Sequence, residues 1–472
     1  MNTTAPLRNL IKLVSFGLAL AVPPQLAQAQ EWGAAGYFKY NIDNVRVDPA
    51  ASPALGYDVT VIFSVTDPSG NRWDIKDPAG PFTATGAGLT LDIGWNPNVD
   101  FTNTGSSKGS LSSVVGPALG TGAAIPVQVR GLQLVKDPLL VSPSLRDGVV
   151  FACDATSCPP YTAAQDLTNR YYVRKNVVPV PRLGAVTTGR IAIEGKPACR
   201  NIPGYTCQVA GALVPVKSAT ADFAFAASPS LAALIPDPRR KVVDINKCKQ
   251  CHDGNQHGDV VIPKLSLHGT NRTENLGLCV VCHNPNQTDV PYRYQTAGTP
   301  DDPRIAGRET PIDFKVMVHA IHAGGFRKTP YVVVGFQSSV NDFSDVRFPR
   351  ELRKSCPDCH IEANGKGTYE LPIKATLGTT VNTNSNYLVA KGNATRSISV
   401  DPADDLRMTP IAATCSACHD NAEVRSHMVK TGGASFSTQQ ANIGTTIKEK
   451  CANCHGPGKD KDVRKVHEIG SR

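Results

Sequence analysis

The pattern Cys-x-x-Cys-His occurs five times in this chain, at Cys248-Cys251-His252, Cys279-Cys282-His283, Cys356-Cys359-His360, Cys415-Cys418-His419 and Cys451-Cys454-His455. Two intervening residues set each pair of thiols on one helical turn, and the next position presents an imidazole beside them. That is the arrangement needed to attach a haem through its two vinyl groups while the histidine takes the iron. Zinc ribbons and redox cysteine pairs share the spacing but do not require the histidine. With 11 His in 472 residues, five coincidences of this kind have a chance of about 10⁻⁸. Five pairs also cannot be shared evenly among four-thiolate zinc sites. The chain is therefore expected to bind five c-type haems covalently through these ten cysteines, with His252, His283, His360, His419 and His455 as metal ligands.

Five irons need five more ligands, and six other histidines remain: His257, His268, His319, His322, His427 and His467. Met317, Met408 and Met428 offer thioethers, which would raise the reduction potential. The segment around His319 and His322 predicts a helix capped by Thr310, begun by Pro311 and ended by Gly324-Gly325, with Phe314, Val318 and Ile321 as its apolar stripe. Imidazoles at i and i+3 lie on neighbouring faces, where each can reach a different haem. His427, eight residues after His419, cannot close the same iron from the far side of the ring on one straight helix, so it is expected to serve another. His257 follows its own motif by five residues and is left out. The distal set is then His268, His319, His322, His427 and His467. Irons closed in this way have no open position for substrate, which points to outer-sphere electron transfer at low potential.

None of the 11 His lies before position 252, and all three Trp (Trp32, Trp73 and Trp95) lie before position 96, so two unlike domains share the chain. Tyr57, Val59, Val61, Phe63 and Val65 alternate with mostly polar residues, and Asp67-Pro68-Ser69-Gly70 reads as a turn. The two-residue period returns at Phe38/Tyr40/Ile42, Leu89/Leu91/Ile93/Trp95, Val127/Val129, Ile191/Ile193 and Phe223/Phe225. Many short strands over about 200 residues predict an antiparallel β-sandwich or split barrel. It should be followed by a mostly α or irregular pentahaem cytochrome c domain. The prolines at 229, 236 and 238 set the boundary, giving residues 30–235 and 236–472.

Residues 1–29 read as a secretory signal: Arg8 and Lys12, an apolar run from Leu13 to Val22, then Ala27-Gln28-Ala29 as the cleavage site. No Cys follows to carry lipoprotein acyl chains. No apolar run approaches the roughly 20 residues of a membrane-crossing helix. In an oxidising compartment the four other cysteines, Cys153, Cys158, Cys199 and Cys207, argue for two disulfides in the first domain. Three connectivities are possible, of which the local pairs are the simplest. The net charge of +9 does not collect into a basic stripe with aromatics, so nucleic acid is not expected as a partner. Haem propionates would offset much of that charge.

The chain resembles the outer-membrane decahaem cytochromes c of metal-reducing bacteria, the MtrC/OmcA type. In the first domain the resemblance rests on VTVIFSVTDPSG, WDIKDPAG, LTLDIGW, GRIAIEGKPA and VPVKSATADF. In the second it rests on LSLHGTNR, CVVCHNPNQTD, FKVMVHAIHAGG and VRFPRELRKSCPDCH. It implies a β-domain beside a pentahaem domain with bis-His ligation, in which His268, His319 and His322 match the family's histidines and His427 and His467 fit by order. It also implies electron delivery to metal oxides, chelated metal or flavins such as FMN, and partnership with other multihaem cytochromes and a porin–cytochrome conduit. The expected location is the outer face of the outer membrane, the medium or the periplasm. Family members typically repeat the β-plus-pentahaem module. One copy is present here, so a ten-haem wire would need a homodimer or another cytochrome. Two competing functions are a pentahaem reductase of nitrite, hydroxylamine or a sulfur oxyanion, with one open iron, and a subunit of an extracellular cytochrome filament.

Overall fold

The computed structural model describes residues 30–49, 57–95, 127–129, 150–178, 188–225, 230–232, 234–290, 309–335, 339–373, 377–383 and 405–470. The expected signal segment, residues 1–29, lies outside them. The N-terminal strands are β1 (Lys39–Pro49), β2 (Tyr57–Thr66), β3 (Gly88–Trp95), β4 (Val127–Val129), β5 (Phe151–Ala152), β6 (Tyr171–Val178), β7 (Thr188–Lys196), β8 (Ala219–Ala224), β9 (Ser230–Ala232) and β10 (Leu234–Ile235). They form two five-stranded antiparallel sheets, ordered β5-β6-β2-β1-β9 and β10-β8-β7-β3-β4.

Alternation explains how the sheets meet. Val45 and Val47 on β1 and Val59, Val61 and Phe63 on β2 share one buried cluster with Leu89, Leu91, Ile191, Ile193 and Phe223 of the other sheet. Each such side chain contributes about 1.5–3 kcal/mol on leaving water. Phe38 stacks on Trp73 at 5.0 Å between ring centres and adds to the same core. β9 pairs with β1 and β10 with β8, so the chain changes sheets between residues 232 and 234. Among the described residues the opposite edges, β5 and β4, pair only within their own sheets, and the result is a sandwich that does not close into a barrel. The turn after β2 forms at Asp67–Gly70, where Gly70 N donates to Asp67 O over 3.1 Å. Disulfides join Cys153 to Cys158 and Cys199 to Cys207, with Cα atoms 5.5 and 5.7 Å apart.

Two-sided burial distinguishes β7. Ile191 and Ile193 face the sandwich core, yet Arg190, Ala192 and Glu194 on the opposite face are buried as well. The helix that carries the second Cys-x-x-Cys-His motif packs on that face; Gly94 on β3 leaves room for Val281, and Gly277 of the helix approaches Thr220 of β8.

After α1 (Ala164–Leu167) in the sandwich, the C-terminal part carries α2 (Ile245–Cys248), α3 (Leu276–Cys282), α4 (Phe314–His322), α5 (Pro410–Ser416), α6 (Ala422–Lys430), α7 (Ala452–His455) and α8 (Val463–Val466). Five two-stranded antiparallel sheets lie between them among the described residues, so this part is less helical and more regular than expected. Helix α4 begins at Phe314 rather than Pro311. Ile312 N donates to Gln287 O, and Thr310 Oγ1 donates to Val332 O at 2.7 Å, so residues 310–312 are spent on bridging neighbouring segments and Thr310 does not cap. Met408 and Met428 are buried in apolar clusters with Ala413 and Ala412. No helix among the described residues is long and apolar enough to cross a membrane.

Candidate functional site

All five motifs adopt the same backbone turn. The histidine N–H donates to the carbonyl of the first cysteine at 2.9 Å in His252, His360, His419 and His455, and at 2.8 Å in His283. Each turn places two thiols and one imidazole along one side of the chain, as the motif's spacing requires.

Each motif histidine then faces one histidine from elsewhere. Ring centres lie 6.2 Å apart for His252 and His322, 6.0 Å for His283 and His268, 5.9 Å for His360 and His319, 5.9 Å for His419 and His467, and 6.3 Å for His455 and His427. Two imidazoles trans on one metal, each bound at about 2 Å, put their ring centres roughly 6 Å apart. The five separations therefore fit an iron between each pair. His257 stands apart from this set: its Nε2 lies 3.0 Å from Asp253 Oδ1. The Asp253 carboxyl is held down at about 2, first by the Asn255 backbone N–H and then by His257.

Second contacts orient the rings. Nδ1 lies within hydrogen-bonding distance of a carbonyl oxygen in His252 (Pro263, 3.0 Å), His283 (Ile312, 2.9 Å), His319 (Lys315, 2.6 Å), His322 (Val318, 2.7 Å), His455 (Lys461, 2.9 Å) and His467 (Val463, 2.9 Å). An Nδ1–H spent on a carbonyl leaves Nε2 as the lone-pair nitrogen that can bind a metal. Burial also favours the neutral ring. It lowers His319, His322 and His419, brings His283 down to about 4, and, with neighbouring His319 and the Arg240 and Lys247 cations, brings His360 down to about 3. Neutral imidazole is the ligating form.

The attachment thiols come close to one another. Cys248 and Cys359, from the first and third motifs, are near enough for each to shift the other's titration. Cys415 and Cys451, from the fourth and fifth, are near enough to interact electrostatically. Burial pushes Cys279 up to about 11, and Cys282 and Cys415 up to about 12.

The second motif is built jointly with the sandwich. Arg190 on β7 binds both oxygens of Asp222 on β8 at 2.8 Å and reaches Gly277 O on α3 at 3.4 Å. Glu194 pairs with Arg272, just beyond His268, and nearby Asp92 also favours the Arg272 cation. Neither Arg190 nor Glu194 stands out in the sequence. On a strand read as alternating they belong to the solvent face, and only a covering element makes them part of a site.

Residues 240–468 match the family model described as outer membrane cytochrome MtrC/MtrF-like, domains II/IV. No curated protein matches the chain. Among solved structures, MtrC from Shewanella baltica OS185 is 16% identical, with 90% of this chain and 52% of that one covered and a TM-score of 0.47. The outer membrane decaheme cytochrome OmcA is 18% identical, with 93% and 49% covered and a TM-score of 0.38. The chain spans about half the length of either. The chain is thus similar, through residues 240–468 and nearly half its length, to the MtrC/MtrF-like outer membrane cytochromes.

Proposed function

We propose that the protein is an exported pentahaem c-type cytochrome that passes electrons to extracellular acceptors, with residues 30–235 as its β-domain and 236–472 as its haem domain. The observation that carries this reading is the set of five ring pairs, 5.9–6.3 Å between centres, each joining a motif histidine to a different one of five other histidines. Cys248, Cys251, Cys279, Cys282, Cys356, Cys359, Cys415, Cys418, Cys451 and Cys454 would hold the haems, and the ten paired histidines would close their irons. A c-type haem bound there supplies a one-electron iron couple. The chain's own contribution is to hold rings such as His319 and His322 through Nδ1, to favour the neutral form of His283, His319, His322, His360 and His419 by burial, and to offer two imidazoles to each iron, which would leave no open position for substrate. Electrons then leave by outer-sphere transfer. The close approach of Cys248 to Cys359 and of Cys415 to Cys451 supports short steps between neighbouring haems.

Similarity to the MtrC/MtrF-like cytochromes supports other multihaem cytochromes and a porin–cytochrome conduit as partners. It also supports a cell-surface location and metal oxides, chelated metal or flavins as acceptors. The test is the haem-to-protein ratio of the purified holoprotein, together with its electronic absorption and EPR spectra before and after adding nitrite or carbon monoxide. A ratio of five with wholly low-spin ferric haems that ignore both ligands is expected. A high-spin fraction near one haem in five that responds to nitrite would replace this reading with the reductase.

A further inference from the structure

His268 occupies a different kind of place from the other four partner histidines. His319 and His322 lie on α4, His427 lies on α6, and His467 closes α8, so helix backbone sets the direction of each. His268 sits at the tip of a hairpin in which Ser266–Leu267 pairs with Arg272–Thr273. Three successive tip residues are left-handed: His268 at φ 53°, Gly269 at 67° and Thr270 at 76°. A histidine and a β-branched threonine disfavour that region, so surrounding contacts must hold the tip in shape.

Those contacts come from the sandwich. Lys196 Nζ, at the end of β7, donates to Gly269 O at 2.7 Å, and Gly195 N donates to Asn271 O at 3.0 Å. Gln30 Nε2 donates to Thr270 Oγ1 at 2.9 Å, and Glu194 pairs with Arg272. On the returning strand, Ser218 N donates to Thr273 O at 2.9 Å, and Ser218 Oγ accepts from Thr273 N at 3.2 Å. Every residue from Gly269 to Thr273 is bound to the β-domain by its backbone or its side chain.

We infer that the β-domain acts as a clamp on the distal ligand of the second haem, with Lys196, Glu194 and Ser218 as positioning residues that hold His268 opposite His283. The inference rests on the proposed assignment of His268 to that iron. Releasing the clamp lets the tip relax, and His268 then leaves the axial position for part of the time. A small exogenous ligand can take the vacated position at that iron alone, because the other four partners are held by their own helices.

The experiment uses the full-length holoprotein, reduced with dithionite, and follows carbon monoxide binding through the Soret band. Lys196→Ala and the double variant Lys196→Ala/Ser218→Ala are compared with Lys196→Arg, which keeps a donor for Gly269 O, and with His268→Ala, which removes the ligand outright. Loss of one charge-assisted hydrogen bond should speed carbon monoxide binding at one haem in five by about tenfold in Lys196→Ala. Lys196→Arg should return the rate towards the wild type, with thermal midpoints unchanged across the series. The clamp is overturned if both alanine variants bind no faster than the wild type while His268→Ala opens one haem in five. If His268→Ala opens none, the ligand assignment itself fails, and the clamp with it.

Discussion

His319 and His322 stand three residues apart on α4 yet face different motif histidines, His360 at 5.9 Å and His252 at 6.2 Å between ring centres. Each ring is tethered through Nδ1 to a carbonyl four residues earlier in its own helix, Lys315 O and Val318 O, so both Nε2 atoms point outward in fixed directions. One short helix thereby joins the third motif to the first. The same two motifs also approach each other on their thiol side, where Cys248 and Cys359 shift each other's titration.

Separate irons predict additive losses. His319→Ala and His322→Ala should each convert about one haem in five to high spin, the double variant about two, and His257→Ala none. EPR integration of the ferric holoproteins checks this. A single variant that opens two haems would show that both rings serve one coupled site.

The end of α4 is held by close approach. A Cβ on Gly324 would run into the carbonyl oxygen of Phe343, whereas one on Gly325 would meet the movable guanidinium of Arg347. Gly324→Ala should cost about 1–3 kcal/mol, and Gly325→Ala less. Thermal melts give the order, and the Soret band should change first for the haem served by His322, the last residue of the helix.

Arg190 is 1% exposed and Asp222 4%, so their ion pair is sealed between the sandwich and α3. Arg190→Ala leaves a buried carboxylate uncompensated and should destabilise by about 3–5 kcal/mol. Replacing both residues together, Arg190→Met with Asp222→Leu, should cost much less than the single change. Denaturant midpoints of the three proteins decide this. Equal losses in the single and double variants would mean that packing on α3, and not charge, dominates.

Glu309 is buried and accepts from Thr288 Oγ1 at 2.7 Å and from Thr383 N and Oγ1 at 3.0 and 2.6 Å. Burial raises its carboxyl above the ordinary range despite these bonds. A raised carboxyl binds its proton more tightly folded than unfolded. Its stabilising effect is therefore complete below the unfolded value of about 4.3 and is lost as pH rises through the folded value. Glu309→Gln should accordingly gain on the wild type between pH 5 and pH 8. Urea midpoints of both proteins measure the difference, and a wild type that gains instead would reverse the sign assigned to this group.

Local chemistry made much of the protein legible in its sequence. The period-two runs at 57–65, 89–95 and 191–193 lie on strands, because alternation reports burial of one sheet face. The Cys-x-x-Cys-His turns follow from spacing alone, because five residues suffice to close them. A helix start at Pro311 did not survive, because residues 310–312 hydrogen-bond to segments distant in sequence. The outward face of β7 was equally hidden. Arg190 and Glu194 read as solvent-facing until α3 and the His268 hairpin cover them.

The sequence by itself determined which side chains this protein can bring to a haem: ten cysteines to attach it and five motif histidines for its iron, with six histidines to spare. Only the tertiary structure decided which ring meets which, from His252 with His322 to His455 with His427. Attachment is a local property of five consecutive residues. Pairing depends on how hairpins and helices far apart in the chain pack, and on a β-domain that holds one hairpin tip in a conformation it would not keep alone.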